Sequence, residues 1–175
     1  MGLTMDEKLQ PIVEALRQRF GAQASTFRGQ TRLLLEREHL IAAATALRDE
    51  FGFEMLTDLT AVDYWPEESP RFHAVYWFTS WQKAGLRLSL RVPLDGSDAV
   101  LPTLEGVYPN ANWYERELWD MFGIHIEGHS DLRRILMPHD WVGHPLRKDY
   151  PLGYEEVQFS FNQEEIMVRK AHPQE

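Results

Sequence analysis

Cysteine does not occur anywhere in the 175 residues. Its absence excludes disulfides, thiolate metal sites, a cysteine nucleophile and any iron–sulfur cluster held by this chain's own cysteines. It also fits a reducing compartment. Cationic excess is missing too: 27 acidic residues face 18 basic ones, a formal net charge of −9. A general nucleic-acid binder needs the opposite balance, because Lys and Arg must neutralise phosphates. There is no run of 18 apolar residues, so no segment reads as a membrane span. The opening MGLTMDEKLQ lacks a basic stretch leading into an apolar one, so it does not read as a secretory signal. Asp6 also breaks the myristoylation pattern. No Gly-x-Ser-x-Gly elbow, Walker loop, dinucleotide glycine fingerprint, internal repeat or low-complexity linker occurs.

What is present begins with helical periodicity. Leu9, Ile12, Val13, Leu16 and Phe20 predict a helix over 5–20, with Thr4 and Glu7 at capping-box spacing and Gly21 as its stop. TFRGQTRLLLER reads as two short strands around Gly29-Gln30. Leu40, Ala44, Leu47 and Phe51 predict a second helix over 38–51. The period then changes. FEMLTDLTAVDYW, FHAVYWFTS and LRLSLRV read as three strands of an antiparallel meander. The middle one is apolar on both faces and so central. In the third, Arg87, Ser89 and Arg91 alternate with leucines and are expected in water. A short helix is expected over 98–108, and another from the cap residue Asn112 to Gly123. On that helix Tyr114, Leu118, Met121 and Phe122 form the apolar face. Glu115, Arg116 and Glu117 fall on the other faces, with Arg116 in reach of Asp120. VQFSF, near the end, reads as an edge strand or extended arm before a polar terminus. The order of elements predicts a two-layer α+β domain over 1–128 with a mixed or antiparallel sheet and helices on one face. An irregular C-terminal arm, 129–175, is added.

Residues 113–152, WYERELWDMFGIHIEGHSDLRRILMPHDWVGHPLRKDYPL, hold four of the seven histidines and three of the six tryptophans. Such density means chemistry or contact. HIEGH is not a zincin helix, because Glu127 is misplaced and Gly128 interrupts it. His125, His129, His139 and His144 could form a metal site only if the fold gathered them. The bland alternative, hydrogen-bonded or surface histidines, is favoured. No carboxylate pair has a diagnostic spacing for acid–base work. Arg133-Arg134 and Arg147-Lys148 could hold an anion, but ion pairing with the many acids is favoured. Trp, Tyr and Arg dominate interface energetics, and guanidinium groups grip carboxylates two-pronged. The segment therefore reads as a docking surface.

ERELWDMFGI, GHSDLRRILMP and GHPLRKDYPL resemble the signature of the 30-kDa subunit family of respiratory complex I, which carries the letter C in bacterial NADH–quinone oxidoreductase. Glu115, Arg116 and Glu117 match its opening, then Asp120, Met121 and Phe122, then His129, Arg133 and Ile135-Leu136. Ser130 stands where proline is common. The resemblance covers most of the chain. It implies a peripheral subunit on the cytoplasmic side of a bacterial membrane, in a complex that passes electrons from NADH to quinone and moves protons. It implies no flavin, cluster or quinone on this chain, with FMN and Fe–S clusters in partner subunits and no catalysis by the isolated chain. It places the chain beside the large quinone-site subunit, the 49-kDa homologue that carries the letter D. The residues expected to serve that contact are Glu115, Arg116, Glu117, Trp119, Asp120, His129, Arg133, Arg134, Trp141, His144, Arg147, Lys148 and Asp149. Two alternatives remain: the same subunit in a plastoquinone oxidoreductase or membrane-bound hydrogenase, and a small histidine-based metal hydrolase.

Overall fold

A computed structural model describes residues 6–151, Phe161 and residues 163–169. Helix α1 (Gln10–Phe20) is entered through a 3-10 turn, Glu7–Leu9, where Asp6 accepts the Lys8 N–H at 2.9 Å. Thr4, the expected cap, lies outside the described residues. Ile12, Val13 and Leu16 form the buried stripe. Strands β1 (Gln23–Phe27) and β2 (Gln30–Leu34) make a hairpin. Its turn is Arg28-Gly29 rather than Gly29-Gln30, and both residues have positive φ, 51° and 79°. A two-residue turn matched to strand twist needs that geometry. Helix α2 (Leu40–Asp49) buries Leu40, Ala43, Ala44 and Leu47.

The expected meander forms from β3 (Met55–Asp63), β4 (Phe72–Ser80) and β5 (Leu86–Leu94). Strand order is β1-β2-β5-β4-β3, with β2 parallel to β5, so the sheet is mixed. β4 sits inside the sheet and is apolar on both faces, as its composition predicts. The two-layer α+β expectation holds. Residues of α1, α2 and the next helix share one core with the inward rows of the sheet, including Leu59, Tyr76 and Leu88. On β5 the alternation is as expected, but Ser89 is buried while Arg87 is exposed. Ser89 lies between Trp77 of β4 and Arg32 of β2, whose larger side chains shade it.

The helix expected over 98–108 does not form. Strand β6 (Val100–Pro102) and a turn through Leu104–Tyr108 stand there. β6 pairs in parallel with β7 (His125–Glu127), an element the sequence does not announce. Three residues are too few to display a period; what places them is burial of Leu101 and Ile126. Helix α3 (Ala111–Phe122) follows Asn110, not Asn112, and crosses β3. It is pinned to that edge by Asn110 donating to the Leu56 carbonyl at 2.7 Å and Tyr114 to the Thr57 carbonyl at 3.0 Å. A short helix α4 (Gln163–Arg169) lies in the stretch read as a polar end. Of VQFSF, only Phe161 is among the described residues.

Candidate partner-docking site

Helix α3 is amphipathic in an unusual sense: part of its buried surface is charged. Glu115 and Asp120 are fully buried and Arg116 nearly so, which corrects the expectation that Glu115 and Arg116 lie on exposed faces. A buried polar or charged group persists only when its hydrogen bonds are met, and each of these is hydrogen-bonded. The Glu115 carboxylate accepts the Leu104 N–H at 2.7 Å and the Thr103 hydroxyl at 2.6 Å. It thereby ties the exit of β6 to the helix. Burial pushes its pKa up, against those two bonds and the nearby His129 ring. Arg116 does not reach Asp120. It donates to the carbonyls of Arg133 and Arg134, each at 3.0 Å, and lies over the Trp113 ring.

Asp120 organises the next segment. One carboxylate oxygen accepts three successive backbone N–H groups, Ile135 at 3.0 Å, Leu136 at 2.8 Å and Met137 at 2.9 Å. The other accepts Arg134 at 2.6 Å. Three converging N–H groups make an anion-binding concavity, filled here by the chain's own carboxylate. Burial alone would raise the Asp120 pKa; the Met137 N–H, the Arg134 guanidinium and the other two N–H groups outweigh it and hold it below the ordinary value. Arg134 spends its remaining donors on the carbonyls of Trp141 at 2.7 Å and Gly143 at 3.1 Å, and stacks over Trp119.

The end of α3 is closed by the arm. The last four carbonyls of a helix have no partner within it. Here the Trp119 carbonyl accepts the Gly123 N–H at 2.9 Å, and the Asp120 carbonyl accepts His144 Nδ1–H at 3.0 Å. The Met121 carbonyl accepts the Leu146 N–H at 3.0 Å, and the Phe122 carbonyl accepts Arg147. A guanidinium suits the negative end of the helix dipole. Gly123 has φ +69°, and a Cβ there would meet His144 at 2.5 Å and Arg147 at 2.7 Å. Glycine is required twice over, for the left-handed turn and for the close approach.

A second tie lies beyond. Asp63, at the end of β3, is buried and paired with buried Arg71 at 3.1 Å, and also accepts the Lys148 N–H at 2.8 Å. Arg71 reaches Asp149 at 2.7 Å and stacks on Trp65. Asp63 and Arg71 were not foreseen as site residues. One signal was available: Leu59, Ala61 and Asp63 share the inward register of β3, so a charged residue there calls for a buried partner.

His129 is held in one tautomer. Its Nε2–H donates to the Asn112 carbonyl at 3.1 Å, and Nδ1 accepts the Asp131 N–H at 3.0 Å. With Glu105 and Glu115 it forms a group whose ligand atoms lie within 4.8 Å of one another. Those atoms are engaged in internal bonds, so the group reads as a brace. Glu105 accepts the Ser130 N–H at 2.8 Å and its hydroxyl at 2.7 Å, bonds that a proline could not make. Burial opposes ionisation of Glu105, but Asn112 and Ser130 bring its pKa down to about 2. Among the described residues, His125, His139 and His144 join no such cluster.

Most of the expected contact residues are thus engaged within the chain: Glu115, Arg116, Asp120, His129, Arg134, His144, Arg147 and Asp149 shape the segment from inside. Trp119 packs edge-on to His144. Glu117 and Trp141 are half-buried, and the Lys148 side chain is exposed. What faces outward is different. The Arg133 side chain is 72% exposed and paired only with exposed Asp131. Trp113, Leu136, Val142 and Leu146 are each at least half exposed. Several charged groups of the segment are turned in, and several of its large apolar groups are turned out. That arrangement suits contact.

The model of the respiratory-chain NADH dehydrogenase 30 Kd subunit matches residues 33–156. The chain belongs to that family. The NADH-quinone oxidoreductase C subunit from Herpetosiphon aurantiacus is 46% identical over 167 residues, 91% of this chain and 96% of its own length. Its counterpart from Roseiflexus sp. strain RS-1 is also 46% identical, over 87% of each chain. A solved trypsin-resistant fragment (1-134) of Nqo5 superposes with a TM-score of 0.62 at 34% identity, covering 71% of this chain and 99% of that one. The chain is therefore a 30-kDa-family subunit of NADH–quinone oxidoreductase, one component of a multi-subunit, membrane-associated complex. Among the described residues, no helix is long and apolar enough to cross a membrane.

Proposed function

We propose that this chain carries no redox cofactor and serves as a docking piece beside the 49-kDa quinone-site subunit in the peripheral arm, on the cytoplasmic side, of a proton-translocating complex. FMN and Fe–S clusters then belong to its partners, and the isolated chain does not oxidise NADH. The observation that carries the reading is the inversion of the 131–151 segment and the start of α3. Charges are buried within, and Trp113, Leu136, Val142 and Leu146 are left 60%, 60%, 58% and 51% exposed. Aromatic and aliphatic anchors beside an arginine are what a partner surface desolvates. A relative from Chromohalobacter salexigens, 45% identical over 81% of this chain, is named as a C/D subunit of NADH-quinone oxidoreductase. A single chain bearing the letters of both the 30-kDa and the quinone-site subunits supports their adjacency.

The test is a paired measurement on Leu136→Asp/Val142→Asp. Both side chains are exposed, so the free subunit should melt within about 1 kcal/mol of the parent. Recovery of the complex on a native gel and its quinone reductase activity should fall sharply. Full recovery with parent activity would exclude this face as the contact.

A further inference from the structure

The sheet has a second face, turned away from the helical core. The core rows of β2 to β5 meet the helices. The opposite rows carry Arg32, Arg87 and Arg91 around Ser89, with Trp77 and then Asp58 next in line on β4 and β3. The register fixes their layout. Arg32 is the partner of Ser89, which stands midway between Arg87 and Arg91 on β5. Those two are four residues apart, about 13 Å along a strand. Arg32 sits one strand over, opposite their midpoint, so the three guanidinium groups form a triangle. A cleft lined by Trp77, Asp58 and Arg87 opens on the same face.

These arginines differ from the others. Between residues 6 and 151, every arginine off the β1–β2 hairpin and this face binds a carboxylate or a backbone carbonyl within the chain. Arg32, Arg87 and Arg91 bind neither. Arg32 lies over the Phe27 ring, and Arg91 reaches only the Tyr64 hydroxyl at 3.3 Å. The Arg91 Nε–H is buried with no acceptor. In a chain with nine more acids than bases, three acid-free arginines on one face are a local charge reversal.

We propose that this sheet face is a second docking surface, and that its occupant is a carboxylate-rich segment of a neighbouring subunit in the complex. Its Asp and Glu side chains pair with Arg32, Arg87 and the donors that Arg91 leaves open beside Tyr64, and an apolar side chain rests on Trp77. A protein segment suits this face better than an anionic bilayer or nucleic acid. Either of those presents charge over a wide area and meets the chain's net charge of −9. A short segment meets only the local field, within a Debye length of about 8 Å at physiological salt. The surface lies on the sheet face opposite the helices and uses none of the residues of the 129–151 segment, so it can succeed or fail independently of that contact.

The experiment uses the assembled complex. Arg87→Lys keeps the charge at an exposed site and supplies an amine. Carbodiimide then forms an amide, with loss of water, only where a carboxylate touches that amine. Peptide mapping should find position 87 joined to an Asp or Glu of another subunit, and Arg32→Lys should join the same stretch. Arg87→Glu should lower complex recovery several-fold at moderate salt, while Arg17→Glu on α1, the same charge change elsewhere, should not. The proposal is overturned if links from position 87 are absent or stay within the chain. It is overturned equally if both charge reversals act alike. Binding of the free chain to vesicles of phosphatidylglycerol, lost in Arg87→Glu, would reassign the face to lipid. Leu136→Asp/Val142→Asp in the free subunit serves as the control that leaves this face untouched.

Discussion

The helix–sheet half of the molecule and the 129–151 segment are held by different forces. In the first, the cohesion is apolar: Leu16, Leu40, Leu47, Phe53, Phe78 and Leu88 are fully shielded in one cluster. Burial of apolar surface is non-directional and spread over many contacts. In the second, Leu132 and Met137 touch the core from its rim, and cohesion comes from directional bonds to α3 and β3. Such bonds are few and mutually dependent. An arm with little periodicity need not be loose; it can be tied by residues far off in sequence. The polar ties also free its apolar groups to face outward.

The contrast is broken most severely at Asp120. Asp120→Ala strands Arg134 and three backbone N–H groups at once. Removing one partner of a buried pair costs roughly 3–5 kcal/mol. Hydrogen exchange should accelerate at residues 135–137 well before it changes in β4. Equal acceleration in both would mean that the two halves are one cooperative unit.

Gly123→Ala comes next, with an expected loss of about 2 kcal/mol from the left-handed turn and the displaced His144 and Arg147. Arg147→Ala should cost about 1.5–3 kcal/mol in the free subunit, because its donors close the α3 terminus. It therefore serves the fold before it serves any partner. Thermal melting of the isolated chain measures both.

Acid should separate the halves in stages. Burial holds the His144 pKa below its ordinary value, so the unfolded chain takes that proton first. Stability is lost as pH falls below about 6.5. Asp120 and Asp63 are also depressed, burial opposing and hydrogen bonds prevailing. Their contribution is present above an unfolded pKa of about 3.9 and is lost below it. Glu105, down at about 2, is among the last to protonate. Glu115 has the opposite sign: its raised pKa favours the protonated form, so its contribution falls as pH rises through that value. Net, protection of 135–149 should begin to fade as pH falls below about 6.5 and be lost further below the ordinary carboxylate pKa of about 3.9, while the sheet stays protected. Simultaneous loss would erase the distinction.

Arg133→Ala should give the smallest effect on the fold, about 0–1 kcal/mol, since its ion pair with Asp131 is exposed. Its effect belongs to complex recovery on a native gel. A marked drop in the free subunit's melting temperature would place Arg133 with the internal ties.

Periodicity made the α1 and α2 stripes, the hairpin and the three-stranded meander legible, because apolar burial imprints a repeat of 3.6 or 2 on the chain. The family signature was equally legible, as an ordered run of residue identities. The tertiary structure decided what those identities do. Only the packing of α3 shows Glu115 serving Leu104 and Thr103, and Asp120 gathering residues 135–137. β6 and β7 pair across the whole of α3 with three residues each, too short to carry a pattern. The Asp63–Arg71 pair was half visible through strand register. Its link to Lys148 and Asp149 was not, because a hydrogen bond between distant residues leaves no period in the sequence.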